Sequence, residues 1–198
     1  MPPCVGTTMA VALAIAVGGA YANGLAGAFH FDDWHVIQHN LALRDLWNLP
    51  RFFVDPTLSS ASPDNLVVRP LLAITFALNY AWSGLDPWSY ELVNLVLHWL
   101  AAWLVFRIVR ERLWLGSSAV PIAATAALVV AVHPLNSSAV NYVSARSALL
   151  AAVLYLAAFD AATRNRWLAA CACFALALLT KEHVVTLPLL VAIHARLD

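Results

Sequence analysis

The feature that most constrains this chain is a run of uncharged residues at 5–25, followed after a long polar and aromatic segment by a second apolar run at 90–109. A helix needs about 20 mostly apolar residues to cross a hydrocarbon core of about 30 Å. Both runs meet that length. Four shorter apolar stretches follow at 119–132, 148–162, 167–180 and 184–193. The expectation is therefore an all-α, polytopic transmembrane helical bundle of about six spans, a single transmembrane domain over residues 1–198, with an outer loop at 29–89. Hydrophobic residues make up 62% of the chain and charged residues 11%, against about 45–50% and about 25% in soluble domains. A soluble fold could not hide that much apolar surface. Ala20-Tyr21-Ala22 has the small-residue spacing of a cleavage site, but no Lys or Arg precedes the first run, so a retained helix is expected there.

The segment 29–89 is rich in Pro, Asp and Trp without being a disordered linker. Leu71, Leu72, Ile74, Phe76, Leu78 and Trp82 recur at helical spacing, which reads as an amphipathic helix in the membrane interface, with Trp34, Trp47, Trp82 and Trp88 as anchors. Basic and acidic residues balance at eleven each, and no basic run suggests nucleic acid. Cys4, Cys171 and Cys173 lie in or beside apolar segments and read as small buried hydrophobes rather than as metal or redox pairs.

Charge distribution gives an orientation. If the spans alternate, Arg107, Arg110, Arg112, Arg164, Arg166 and Arg196 share one side with Glu111, Asp160 and Asp198. Short loops with excess Arg are retained in the cytoplasm. The acidic segment then lies outside, and the preference for Arg over Lys leans toward a bacterial inner membrane with the site facing the periplasm. Asp32, Asp33, Arg69, Glu91, His133, Arg146, Lys181 and Glu182 all fall at that same outer boundary. Ionisable groups near hydrocarbon are expensive and tend to face a cavity or one another, so a shared site is expected.

Asp32-Asp33 follows the first span. One carboxylate of such a pair can accept a proton while the other orients a substrate or shifts its neighbour's charge. His30, His35 and His39 surround the pair, but nothing completes a coordination sphere, and no metal is expected. On the second span Glu91, Asn94 and His98 fall at i, i+3 and i+7 and stack on one helix face, which in lipid must turn inward, either for interhelical hydrogen bonds or toward a polar cavity. His133-Pro134 closes the third span and Arg146 opens the fourth, where it could bind a phosphate bidentately or snorkel to the interface. Lys181-Glu182 interrupts an apolar stretch, either as a cation for an anionic leaving group or as a simple turn.

Read in order, FDDWHVIQHN, VRPLLAITFALNYAWSGLDPWSYELVNLVLH, HPLNSSAVNYVSARSALLA and LLTKEHVVTLPLL resemble the membrane half of the O-mannosyltransferase-like proteins that carry tetratricopeptide repeats, members of the GT-C class of glycosyltransferases. The resemblance runs from Phe29 onward and rests on the ordered combination. It implies the N-terminal part of a GT-C fold and transfer of a sugar, such as mannose, from a polyprenyl-phosphate carrier to a protein or glycan acceptor. It also implies that Asp32 and Asp33 activate or position the acceptor, that Arg146 and Lys181 hold the lipid phosphate, and that Arg69, Glu91, Asn94, His98, His133 and Glu182 support them. No cofactor is implied beyond the lipid-linked donor. Where the family pattern has His after the Tyr of the second span, this chain has Glu91. Family members continue through further spans into repeats, so this chain is expected to be part of a longer protein or to need a further membrane chain. The rival expectation is a non-enzymatic transporter piece or assembly subunit. Transporters often carry internal repeats and broken helices at midplane, and the sequence shows neither.

Overall fold

The computed structural model describes residues 4–64, 67–112 and 118–197. Among these the regular elements are helices, with no strand. The sequence builds them as α1 (Cys4–Tyr21), α2 (Pro70–Ser83), α3 (Pro87–Arg112), α4 (Ala119–Val132), α5 (Ser137–Asn141), α6 (Arg146–Thr163), α7 (Trp167–Leu178) and α8 (Leu187–Leu197). Pro70 and Pro87 open α2 and α3, where a missing N–H costs no helical bond. Gly84 closes α2 at φ 63°, its N–H bonding Tyr80 O at 2.8 Å, a backbone conformation that favours glycine.

The expected span count is too high. Among the described residues three helices, Val5–Ala26, Pro87–Glu111 and Val143–Thr163, are long and apolar enough to cross a membrane, and there is a fourth candidate if Ala119–Val132 and Pro134–Asn141, bent by 46°, count as one span. The bend has a local cause, since Pro134 has no N–H to continue α4. At 12 residues, α7 rises about 18 Å, short of a full crossing, and the Lys181-Glu182 turn separates it from α8.

α3 and α6 run parallel. At the N-terminal end of both, Arg146 Nε donates to Asn94 Oδ1 at 2.9 Å; at the C-terminal end, Arg107 Nη2 donates to Asp160 Oδ2 at 2.7 Å. Arg164 Nε also reaches both oxygens of Asp160 at 3.1 Å, and its Nη2 pairs with Glu111. Of the groups expected to share the Arg-rich side, Arg107, Glu111, Asp160 and Arg164 therefore meet, while Asp198 lies outside the described residues. α1 and α4 pack on α3 as returning helices, with Trp99 Nε1 bonding Ala10 O at 2.9 Å and the rings of Tyr21 and His98 meeting edge to face. Ala123, Ala127 and Ala131, four residues apart along α4, are fully buried. In lipid, small residues of this kind allow backbones to approach and gain dispersion contacts, which is what holds membrane helices together.

A second core caps the N-terminal ends of α3 and α6. Phe29, Ile37, Leu43 and Phe52 from the 29–64 segment pack with Leu72, Phe76 and Ala77 of α2, Tyr90 of α3 and Val143. The amphipathic helix is thus real, with its apolar face turned onto the bundle, while Trp34, Trp47 and Trp82 are exposed.

Candidate active site

The chain leaves α1 through a tight turn. Gly27 N–H bonds Gly24 O at 2.7 Å, and a Cβ at Gly27 would lie 2.8 Å from that same oxygen, so only glycine fits without a shift. Four residues on, Phe31 takes φ 47°, a conformation that L side chains rarely adopt and that persists where surrounding structure over-determines it. One π-helical turn, Trp34–Gln38, follows the carboxylate pair, and such turns concentrate at functional sites. Together they set the two carboxylates apart.

Asp33 is fully buried. Its Oδ1 accepts from Ser144 N–H at 2.8 Å and Ser144 Oγ at 2.5 Å, and its Oδ2 accepts from His30 N–H at 3.0 Å. It staples the loop after α1 to the start of α6. Asp32 points outward, its side chain 60% exposed. Its carboxylate meets His35 Nε2 at 3.4 Å, and its N–H donates to Tyr142 Oη at 3.1 Å. Burial, with the Asp32 carboxylate adding, pushes the Tyr142 phenol up to about 12. Asp32 lines a cavity of about 110 Å³ with His35, Ser59, Ser60, Arg69 and Ser144 over an apolar floor that includes Leu72 and Phe76.

Arg69 stands just before α2 on the rim of this cavity, its Nη2 3.9 Å from Glu182 Oε2. Its Nε is buried and makes no hydrogen bond. Glu182 opens the turn between α7 and α8. Its carboxyl is held below the usual range, first by its own backbone N–H and then by Arg69, Lys181 and His183. Lys181 is half-buried at the same turn, its N–H bonding Ala177 O at 3.2 Å.

Arg146 lies inside the bundle, away from the lining of this cavity. It is fully buried, with Nε on Asn94 Oδ1, Nη1 on Asn79 Oδ1 at 2.7 Å and Thr75 Oγ1 at 3.2 Å, and Nη2 on Tyr90 O at 2.9 Å. Its guanidinium lies 4.7 Å from the Phe76 ring centre. These bonds commit it inside the bundle. Asn94 closes the network by donating to Val140 O and Tyr142 O. Glu91 is buried beside it with Oε2 unbonded. His98 bonds Ala131 O at 3.2 Å, deeper in the core. His133 is exposed; its Nδ1 accepts from Leu135 N–H at 3.2 Å, and its carbonyl accepts from Tyr21 Oη at 2.8 Å. The structure therefore brings Asp32, Arg69 and Glu182 to one rim, with Asp33, Asn94, Glu91 and Arg146 beneath it, and leaves His98 and His133 in packing and capping roles. Thr75, Asn79, His35, Tyr142 and Ser144 join the site without having been expected there.

The pattern of identity with known proteins decides the family. A protein O-mannosyl-transferase TMTC3 from Mus musculus is 36% identical over 153 residues, 76% of this chain and 16% of that protein. Tmtc1 of Drosophila melanogaster, also a protein O-mannosyl-transferase, is 38% identical over 144 residues, 70% of this chain and 16% of its own length. Tmtc2 of the same fly is 33% identical over 192 residues, 87% of this chain and 20% of its own. The chain belongs to this O-mannosyl-transferase family. It spans about a sixth to a fifth of the length of these relatives. No family model matches it, and no solved structure matches it. Its long apolar helices mark the chain as an integral membrane protein. These relatives are animal proteins, so the expectation of a bacterial inner membrane, drawn from arginine usage alone, finds no support among them.

Proposed function

We propose that this chain forms the sugar-transfer site of a membrane mannosyltransferase, moving mannose from a polyprenyl-phosphate carrier to a protein hydroxyl at the outer membrane face. The observation that carries this reading is that an exposed carboxylate, Asp32, and a guanidinium, Arg69, line one cavity. The acceptor's oxygen attacks the anomeric carbon as Asp32 takes its proton, and the bond from that carbon to the carrier phosphate breaks with inversion. Negative charge collects on the leaving phosphate. Arg69 and Lys181 stabilise it, which is most effective where water is partly excluded. Asp33 and Arg146 hold the elements in position. A lipid tail on the donor accounts for a site at the boundary, where the tail stays in hydrocarbon while the sugar meets water.

The test is transfer of labelled mannose from a polyprenyl-phosphate donor to a serine- or threonine-containing peptide by the complete protein in liposomes. Asp32→Asn should abolish transfer while leaving donor binding intact. Arg69→Gln should weaken donor binding about 10- to 150-fold, the equivalent of about 1.5–3 kcal/mol for a charged hydrogen bond. Full transfer by Asp32→Asn would sink the proposal.

A further inference from the structure

We propose that His35 is a positioning residue for Asp32, clamping the carboxylate through Nε2 while Ser60 fixes the other ring nitrogen. The inference rests on the reading of Asp32 as the base of the transfer reaction. Asp32 is the exposed member of the acidic pair, and His35 Nε2 bonds its carboxylate at 3.4 Å. A carboxylate so exposed has several rotamers open to it, whereas proton transfer needs one. His35 narrows the choice because it is itself held. Its Nδ1 lies 2.8 Å from Ser60 Oγ, its carbonyl accepts from Ala61 N–H at 2.8 Å, and its backbone belongs to the π-helical turn at Trp34–Gln38.

The two contacts together set the tautomer. A carboxylate only accepts, so the Nε2 facing Asp32 carries the ring proton and Nδ1 accepts from the Ser60 hydroxyl. The Ser60 side chain is buried, and its Oγ accepts from Ser62 N–H at 2.9 Å, which leaves its own proton free to point at Nδ1. A ring that only tied the 29–64 segment together would need the Ser60 contact alone. The second contact, on the wall of the same cavity as Arg69 and Ser144, is what a base-orienting residue needs. At 3.4 Å this bond is long, and catalytic bonds of this kind tighten when substrate binds.

Two substitutions separate the contacts. The amide of an asparagine overlays Nδ1 and keeps Ser60, whereas that of a glutamine overlays Nε2 and keeps Asp32. In the complete protein in liposomes, His35→Asn should lower kcat about 10- to 100-fold, as misplacement of a reacting group does, with the KM for donor and acceptor unchanged. His35→Gln should recover most of that loss. Independently of activity, 15N-histidine spectra should show His35 as the Nε2–H tautomer, its resonance assigned by its disappearance in His35→Gln. Wild-type kcat in His35→Asn, an equal loss in both variants accompanied by an equal drop in thermal stability, or an Nδ1–H tautomer would each overturn the inference. If Asp32→Asn is inactive while His35→Asn is not, this inference alone fails; if Asp32→Asn is active, the proposed function fails with it.

Discussion

Asn79 Oδ1 accepts a hydrogen bond from Arg146 Nη1 at 2.7 Å, joining α2 to α6 inside the bundle with both side chains shut away from solvent.

That contact makes Arg146 a test of architecture. Arg146→Ala strips a donor from Asn79, Asn94, Thr75 and the Tyr90 carbonyl at once, and a buried polar group left unsatisfied costs about 1–3 kcal/mol. The expected loss in unfolding free energy, measured in mixed micelles, is on the order of 4 kcal/mol or more. A variant as stable as wild type that had merely lost donor affinity would return Arg146 to a phosphate-binding role.

The two neighbouring aspartates should part company. Asp33→Asn removes charge-assisted bonds from Ser144 and the His30 N–H, and about 1.5–3 kcal/mol of stability should go with them. Asp32→Asn, at an exposed carboxylate, should stay within about 0.5 kcal/mol of wild type. Unfolding curves of the two variants, run side by side, decide it, and equal losses would refute the division of roles.

Tyr142 makes a pH prediction. Burial holds its phenol at about 12 in the fold, against about 10 in an unfolded chain. The folded value is the higher one, so the unfolded state loses its proton first. Tyr142 therefore contributes its full share of stability below about pH 10, and that share drains away as pH rises toward about 12. Tyr142→Phe should flatten this part of the stability profile, as read by tyrosinate absorbance and unfolding midpoints together. An unchanged slope would exclude Tyr142 as its source.

Orientation is checked by labelling in a background free of the native cysteines. Cysteine at Trp47, exposed in the 29–64 segment, should react with an impermeant reagent from the same side that admits donor and acceptor. Cysteine at Asn165, beside the Asp160–Arg164 pair, should react only from the other side. Labelling of both from one side would break the topology.

What the sequence reveals of this site follows its helical periodicity. Glu91, Asn94 and His98 share a face by spacing alone, and all three are buried. Thr75 and Asn79 carry the same signal on α2, four residues apart, but a helix assumed to lie in the interface sends its polar residues toward water. Here they turn inward because Arg146 is there to receive them, 71 and 67 residues along the chain. Nothing local separates Asp32 from Asp33 either; Ser144, 111 residues from Asp33, makes that choice. Hydropathy counts apolar length without registering breaks, so the stretches before Pro134 and before Lys181-Glu182 look like spans when one is half of a bent pair and the other a short helix.

The double fastening of α3 to α6 bears on how the protein is assembled. The two polar clasps lie about 20 Å apart along the helices, and each needs a residue from both: Asn94 with Arg146, and Arg107 with Asp160. During synthesis α3 leaves the ribosome first and enters the bilayer with Asn94 and Arg107 still without their α6 partners, an expensive condition in hydrocarbon. Only the arrival of α6 relieves it, delivering Arg146 and Asp160 to their counterparts together. Biogenesis of this bundle is thus ordered by its chemistry: α3 remains a provisional insert until the later helix seats beside it, and a chain interrupted before Arg146 leaves its first polar span without a counterpart.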